Sequence, residues 1–229
     1  MTIFPNPIDG VIFDMDGLLL DTERIYAIAI MAAGRAIGFD ISQQFCHSMI
    51  GIANRECDII IQEHFGSDFP MADYLSQRSA RVADLVEAGI PLKSGAFALI
   101  DHLSQRNIPI AIATSTGRQT AMRHLKQAGL WERFRVIVTR DEVSRGKPKP
   151  DLYMKAAKDL GIEPAHCLAL EDSHNGIRAA HAAMTMPIMV PDIVQPTEEI
   201  RAMCIAVVGD LHDVHRLMAA QIPLPRACL

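Results

Sequence analysis

Short apolar runs that end in a polar residue recur along the chain. Val11-Ile12-Phe13 ends at Asp14, and 108–113 (IPIAIA) ends at Thr114. Val136-Ile137-Val138 ends at Thr139, and Leu168-Ala169-Leu170 ends at Glu171-Asp172. Two further runs, 187–190 (PIMV) and 205–208 (IAVV), end at Pro191-Asp192 and Gly209-Asp210. Apolar runs without alternation suit strands buried on both faces, as in a parallel sheet. Between them the spacing predicts helices over 95–106 with Ser94 as cap, 118–128 stopped by Gly129, 151–160 after Pro150 and stopped by Gly161, and 174–183. Alternation of the two patterns predicts an α/β fold with a doubly wound parallel sheet.

One region breaks the alternation. After the first run only helical signals follow until about residue 87. Ile25, Ile28, Ala29, Ala32, Ala36 and Ile37 share one helical face, and Ile50, Ile59-Ile60-Ile61, Tyr74, Leu75, Val82, Leu85 and Val86 fit further helices. That is too much helix for one crossover. The expected organisation is an all-helical domain over 22–85, inserted into an α/β core made of 1–21 and 86–229. Ligands of open α/β sheets lie at the carboxyl ends of the strands, where such an insertion would form a roof.

Composition narrows the classes. The 229 residues carry 22 Lys+Arg against 27 Asp+Glu, a net charge of −5, which excludes a strongly basic nucleic-acid binder and a polybasic membrane patch. No apolar stretch reaches the length of a membrane span, and 1–10 lacks the basic start of a secretory signal. Cys46, Cys57, Cys167, Cys204 and Cys228 are odd in number and show no C-x-x-C spacing, so reduced thiols and a cytoplasmic location are expected.

The strand ends carry the candidate chemistry. The first delivers Asp14-Met15-Asp16-Gly17, the second Thr114-Ser115, and the fourth Glu171-Asp172. A later loop offers Lys147 in GKPKP (146–150). Singly, these are ordinary loop and capping residues. In a parallel sheet, however, all these ends face one crevice. Two carboxylates about 4 Å apart repel by roughly 4 kcal/mol at an effective dielectric near 20. Four acids gathered there need cations, which a hard divalent ion and one lysine supply. Mg²⁺ takes carboxylate and water oxygens and is often completed by substrate phosphate, so the cluster points to phosphoryl chemistry on a small-molecule phosphate ester.

The motifs DMDGLLLDTE (14–23), ATST (113–116), GKPKPD (146–151) and LEDSHNG (170–176) resemble those of the haloacid dehalogenase superfamily, in its phosphatase and phosphomutase branch with a helical cap inserted after the first motif. The resemblance covers nearly the whole chain and is greatest to β-phosphoglucomutase-like proteins and sugar-phosphate phosphatases. It implies Asp14 as nucleophile, forming an aspartyl-phosphate, and Asp16 as general acid and then base. It implies Thr114 and the Ser115 backbone N–H as holders of phosphoryl oxygens and Lys147 as the neutralising cation. The Mg²⁺ would be held by Asp14, the Asp16 carbonyl and Asp172, with Glu171 as a second or water-mediated ligand. Thr116, Arg118 and the cap residue Arg55, within GIANRE (51–56), are the candidate substrate contacts. Arg78 and Arg81 are expected at the surface, and His212-x-x-His215 on a solvated helix.

Within the branch, Asp16 and the Glu171-Asp172 pair argue against the metal-free dehalogenases. The mutases carry a histidine shortly after the D-T-x motif. Here that position is Tyr26, and no histidine precedes residue 47. This favours water as acceptor, hence a phosphatase; separately, a monomer or weak homo-oligomer is expected. A phosphomutase, and a phospho-binding or regulatory protein without turnover, are the alternatives.

Overall fold

The computed structural model describes residues 4–49 and 54–221; the side chains at 47, 54, 55 and 221 lie outside that description. Its sheet has six parallel strands: β1 (Gly10–Phe13), β2 (Ile110–Ala113), β3 (Val136–Val138), β4 (Cys167–Glu171), β5 (Met186–Met189) and β6 (Ala206–Val207). Their order is β3-β2-β1-β4-β5-β6. The four inner strands are buried at every position, which is what their unbroken apolar runs require. The sixth run pairs over two residues only, at the half-buried sheet edge.

The order fixes where a site can form. The chain winds outward from β1 through β2 to β3, then returns to the other side of β1 and winds outward through β4 to β6. The winding reverses between β1 and β4, the place where open α/β sheets leave a crevice at the carboxyl ends. Phe13 lies opposite Leu170 across this seam. The Asp14 N–H then donates to the Leu170 carbonyl at 3.0 Å, which sets Asp14 beside Glu171.

Five helices flank the sheet: α5 (Ala96–Gln105), α6 (Arg118–Gln127), α7 (Asp151–Leu160), α8 (His174–Ala182) and α10 (Leu211–Gln221), with the short α9 (Glu198–Met203) before β6. On α7, Leu152, Tyr153, Ala156 and Ala157 are buried against Ile12, Ala111 and Ala169 of the sheet. Each large aliphatic chain so buried stabilises the fold by about 1.5–3 kcal/mol relative to exposure. Gly161 ends α7 at φ +76, as expected of glycine past a helix end. The expected Ser94 cap does not form. Gly95 occupies that position at φ +86, and the Ser94 hydroxyl donates to Asp210 at 3.4 Å instead.

Residues 21–90 form a separate compact unit of helices α1 (Thr22–Ala36), α2 (Gln43–Ser48), α3 (Asn54–Phe65) and α4 (Met71–Glu87). It runs further than 22–85 because α4 stays helical to Glu87. Its own core joins Ala33, Ile41, Cys46, Ile61, Phe69 and Tyr74. Arg78, expected at the surface, is drawn inside this unit: its guanidinium lies 2.5 Å from Asp58 and over the Tyr74 ring. Arg81 is half exposed. No helix of the described residues is long and apolar enough to cross a membrane.

Candidate active site

Every residue that the sequence places at a strand end in the core belongs to the unit made of 1–20 and 91–229. Asp14 leaves β1 with only 6 % of its surface exposed. The Lys147 ammonium donates to Asp14 Oδ1 and, at 2.5 Å, to Glu171 Oε1. One buried cation thus joins the ends of the two strands at the winding reversal. Burial pushes the Asp14 carboxyl up to about 8; Lys147 opposes the shift, and the charges of Glu171 and Asp16 add to it. Burial alone would lower the Lys147 ammonium, but the two carboxylates outweigh it and hold it above its ordinary value.

Glu171 is fully buried and accepts five hydrogen bonds. Lys147 and the Tyr153 hydroxyl (2.9 Å) meet Oε1. The backbone N–H groups of Asp172 (3.1 Å) and Ser173 (3.2 Å) and the Ser173 hydroxyl (3.0 Å) meet Oε2. The Ser173 side chain also caps α8 by accepting from Gly176 N–H. Gly176 is the reason the carboxylate fits there: a Cβ at that position would lie 1.8 Å from Glu171 Cδ. Ser173 therefore has two tasks, capping α8 and holding Glu171.

Carboxylate oxygens of Asp14, Glu171 and Asp172 lie within 4.8 Å of one another. This all-oxygen donor set is of the kind a hard divalent cation prefers. Glu171 is saturated by five donors, so within this set it serves Lys147 and the α8 N-terminus first. Gly17 turns the chain beside them at φ +84, and a Cβ there would fall 2.3 Å from Asp172 Oδ2.

Asp16 accepts from Thr116 Oγ1 at 2.6 Å and from Thr114 Oγ1 at 3.5 Å. Thr114, buried, also accepts from the Thr116 N–H at 3.0 Å, so the ATST loop folds back onto the second aspartate. Ser115 between them is exposed. Arg118 does not turn toward this cluster. Its guanidinium meets Glu142 at 3.1 Å, and its N–H is held by Asp141 at 2.7 Å. Arg55 belongs to α3 of the other unit, and its side chain, like Gly51, lies outside the described residues.

Tyr153 and His124 escaped the sequence reading. Tyr153 sits on the sheet-facing stripe of α7 and reads as an ordinary core aromatic, yet its hydroxyl steadies Glu171. Burial, then the nearby Glu171 and Asp14 charges, hold its phenol well above the usual range. His124 lies on the buried stripe of α6 with Ala121 and Leu125. His212 and His215 do not act as a pair: the His215 Nε2 meets His102 Nδ1 of α5 at 2.7 Å.

Comparison with known proteins gives a consistent picture. The family model described as "Haloacid dehalogenase-like hydrolase" matches residues 11–190. The chain is similar to the (DL)-glycerol-3-phosphatase 2 of Arabidopsis thaliana, 38 % identical over 195 residues, covering 81 % of this chain and 80 % of that one. It is also similar to a protein of Drosophila melanogaster named probable pseudouridine-5'-phosphatase, 35 % identical over 193 residues, covering 79 % and 80 %. Among solved structures, a HAD family hydrolase from Deinococcus radiodurans R1 with bound phosphate and sodium superposes with a TM-score of 0.79 at 27 % identity, over 93 % of this chain and 96 % of that one. The chain belongs to the haloacid dehalogenase-like hydrolases.

Proposed function

We propose that this haloacid dehalogenase-like hydrolase is a Mg²⁺-dependent phosphatase of a small phosphate monoester, with a sugar or polyol phosphate as the substrate class. The observation that carries the reading is the Asp14–Lys147–Glu171 bridge at the winding reversal, with the Asp172 carboxylate beside it and the Asp16 charge acting on Asp14. The names of the similar proteins, phosphatases of a polyol and of a nucleoside phosphate, support the same class.

In this reading an Asp14 carboxylate oxygen attacks phosphorus. As the new O–P bond forms, the ester P–O bond breaks, and Asp16 gives its proton to the departing oxygen. Asp16, now a carboxylate, takes a proton from the water that attacks the aspartyl-phosphate. Phosphate leaves, Asp14 is freed and Asp16 is again protonated. Lys147 offsets charge between nucleophile and phosphoryl oxygens, and Thr114 and the Ser115 N–H hold those oxygens. Asp14, Asp172 and the Asp16 carbonyl would hold the Mg²⁺, with Glu171 behind them fixing Lys147. Bound there, the ion supplies a positive charge that draws anionic phosphate against an anionic nucleophile. Tyr26, where the related mutases have histidine, supports water as the acceptor.

The test is Mg²⁺-dependent phosphate release from a panel of sugar, polyol and nucleoside phosphates, with Asp14→Asn as blank. Release from one or a few members, abolished by Asp14→Asn and by chelator, is expected. No release anywhere, with sugar 1-phosphates converted to 6-phosphates once a bisphosphate primer is added, would replace the phosphatase by a mutase. Silence in both assays would leave a phospho-binding role.

A further inference from the structure

His124 lies beside Asp16. Its side chain is 1 % exposed, and neither ring nitrogen makes a hydrogen bond among the described residues. A buried, unpartnered imidazole costs stability and calls for a reason. A carboxylate close by supplies one: His124 Nδ1 stands 4.0 Å from Asp16 Oδ1. The opposite oxygen, Oδ2, is held by Thr116 at 2.6 Å. The Asp16 carboxyl is thus flanked by a hydroxyl in contact and by a ring nitrogen about 1 Å beyond ordinary hydrogen-bond reach. α6 fixes both flanks, because Thr116 precedes it and His124 lies within it.

Resting on the reading of Asp16 as proton donor and acceptor, we infer that His124 is a positioning residue for that carboxyl. When Asp16 turns from Thr116 toward the leaving oxygen, a small rotation brings Oδ1 within reach of the imidazole. The ring gives the rotated carboxyl a partner that a hydrocarbon side chain would deny it. Thr116 and His124 then define two stops for one side chain, the first at rest and the second in proton transfer. No proton needs to pass through the ring, so His124 touches neither substrate nor phosphorus.

The experiment separates positioning from packing by the leaving group. The first-step rate is measured in single turnovers with p-nitrophenyl phosphate, whose phenolate leaves without a proton, and with the sugar or polyol phosphate of the panel that the wild type hydrolyses fastest. For His124→Phe, the rate on the sugar or polyol ester is expected to fall at least 10-fold further than on the aryl ester. His124→Asn, which restores an N–H, is expected to close most of that gap. Equal losses on both esters, or no loss on either, would overturn the inference. Asp16→Asn provides the control: if it fails to show the same split, the reading of Asp16 itself is wrong; a split there without one in His124→Phe defeats only the role of His124. Should His124→Phe not fold, ring ¹⁵N–¹H spectra of the wild type and Asp16→Asn decide. A His124 nitrogen signal that moves between them supports the placement, and an unmoved one rejects it.

Discussion

Glu171→Gln perturbs the site at its most densely bonded point. Five donors converge on this one carboxylate, and every one of them points a proton at it. Glutamine keeps the volume but offers one oxygen and one NH₂. If the NH₂ takes the Oε2 position, it faces two backbone N–H groups that cannot turn away. If it takes the Oε1 position, it faces the Lys147 ammonium, while the Tyr153 hydroxyl can rotate to accept. The second orientation is the less costly and still removes the ion pair. At 2.5 Å and an effective dielectric near 20 that pair is worth about 6–7 kcal/mol of attraction before desolvation. Desolvation offsets much of this, and removing one partner of a buried pair typically costs about 3–5 kcal/mol. Asp14 remains to Lys147, which places the expected loss near the lower figure. For a chain of this size that is a fall in melting temperature of roughly 6–12 °C. Thermal unfolding in excess chelator, so that no bound ion contributes, reads the loss directly. Turnover should fall at least 10-fold, because Lys147 is then tethered by Asp14 alone. A variant melting within about 2 °C of wild type and turning over within threefold would refute the reasoning.

Further predictions follow from other parts of the site and core. Gly17→Ala strains a φ of +84 and sets a Cβ 2.3 Å from Asp172 Oδ2, so the Mg²⁺ concentration for half-maximal rate should rise at least 10-fold, read by titrating the ion in the phosphate-release assay. Asp14→Asn should abolish release while its circular dichroism and melting cooperativity stay those of a folded protein; a near-wild-type rate would remove Asp14 as nucleophile. His102 is buried, and its imidazole is lowered to about 4, first by desolvation and then by Arg106 and His215. The unfolded chain therefore binds a proton that the folded chain refuses between about pH 6.5 and 4, and stability falls as the pH drops through that window, by up to about 1.4 kcal/mol per unit. Urea unfolding of wild type and His102→Phe from pH 7.5 to 4.5 checks this, the variant losing that part of the slope.

The sequence determined the class of fold and which polar residues stand at the strand ends. Runs such as Val11-Ile12-Phe13 and Leu168-Ala169-Leu170 have no polar alternation, so only a sheet covered on both faces can hold them. A polar residue that ends such a run must stand at a strand end, which is how Asp14, Thr114 and Glu171 were legible in advance. Glycine after a helix is equally local, and Gly161 ended α7 where expected. What a one-dimensional pattern lacks is partner choice. The strand order, which sets β1 against β4 and Asp14 beside Glu171, depends on which apolar faces bury one another across 150 residues or more. The same limit hid the saturation of Glu171, since Lys147, Tyr153 and Ser173 reach it from separate elements. Arg118 reads as a substrate contact until Glu142, 24 residues away, takes its guanidinium. Tyr153 and His124 lie on helical stripes whose period says only that they face inward. What they meet there is decided by tertiary packing: Glu171 for the one and Asp16 for the other.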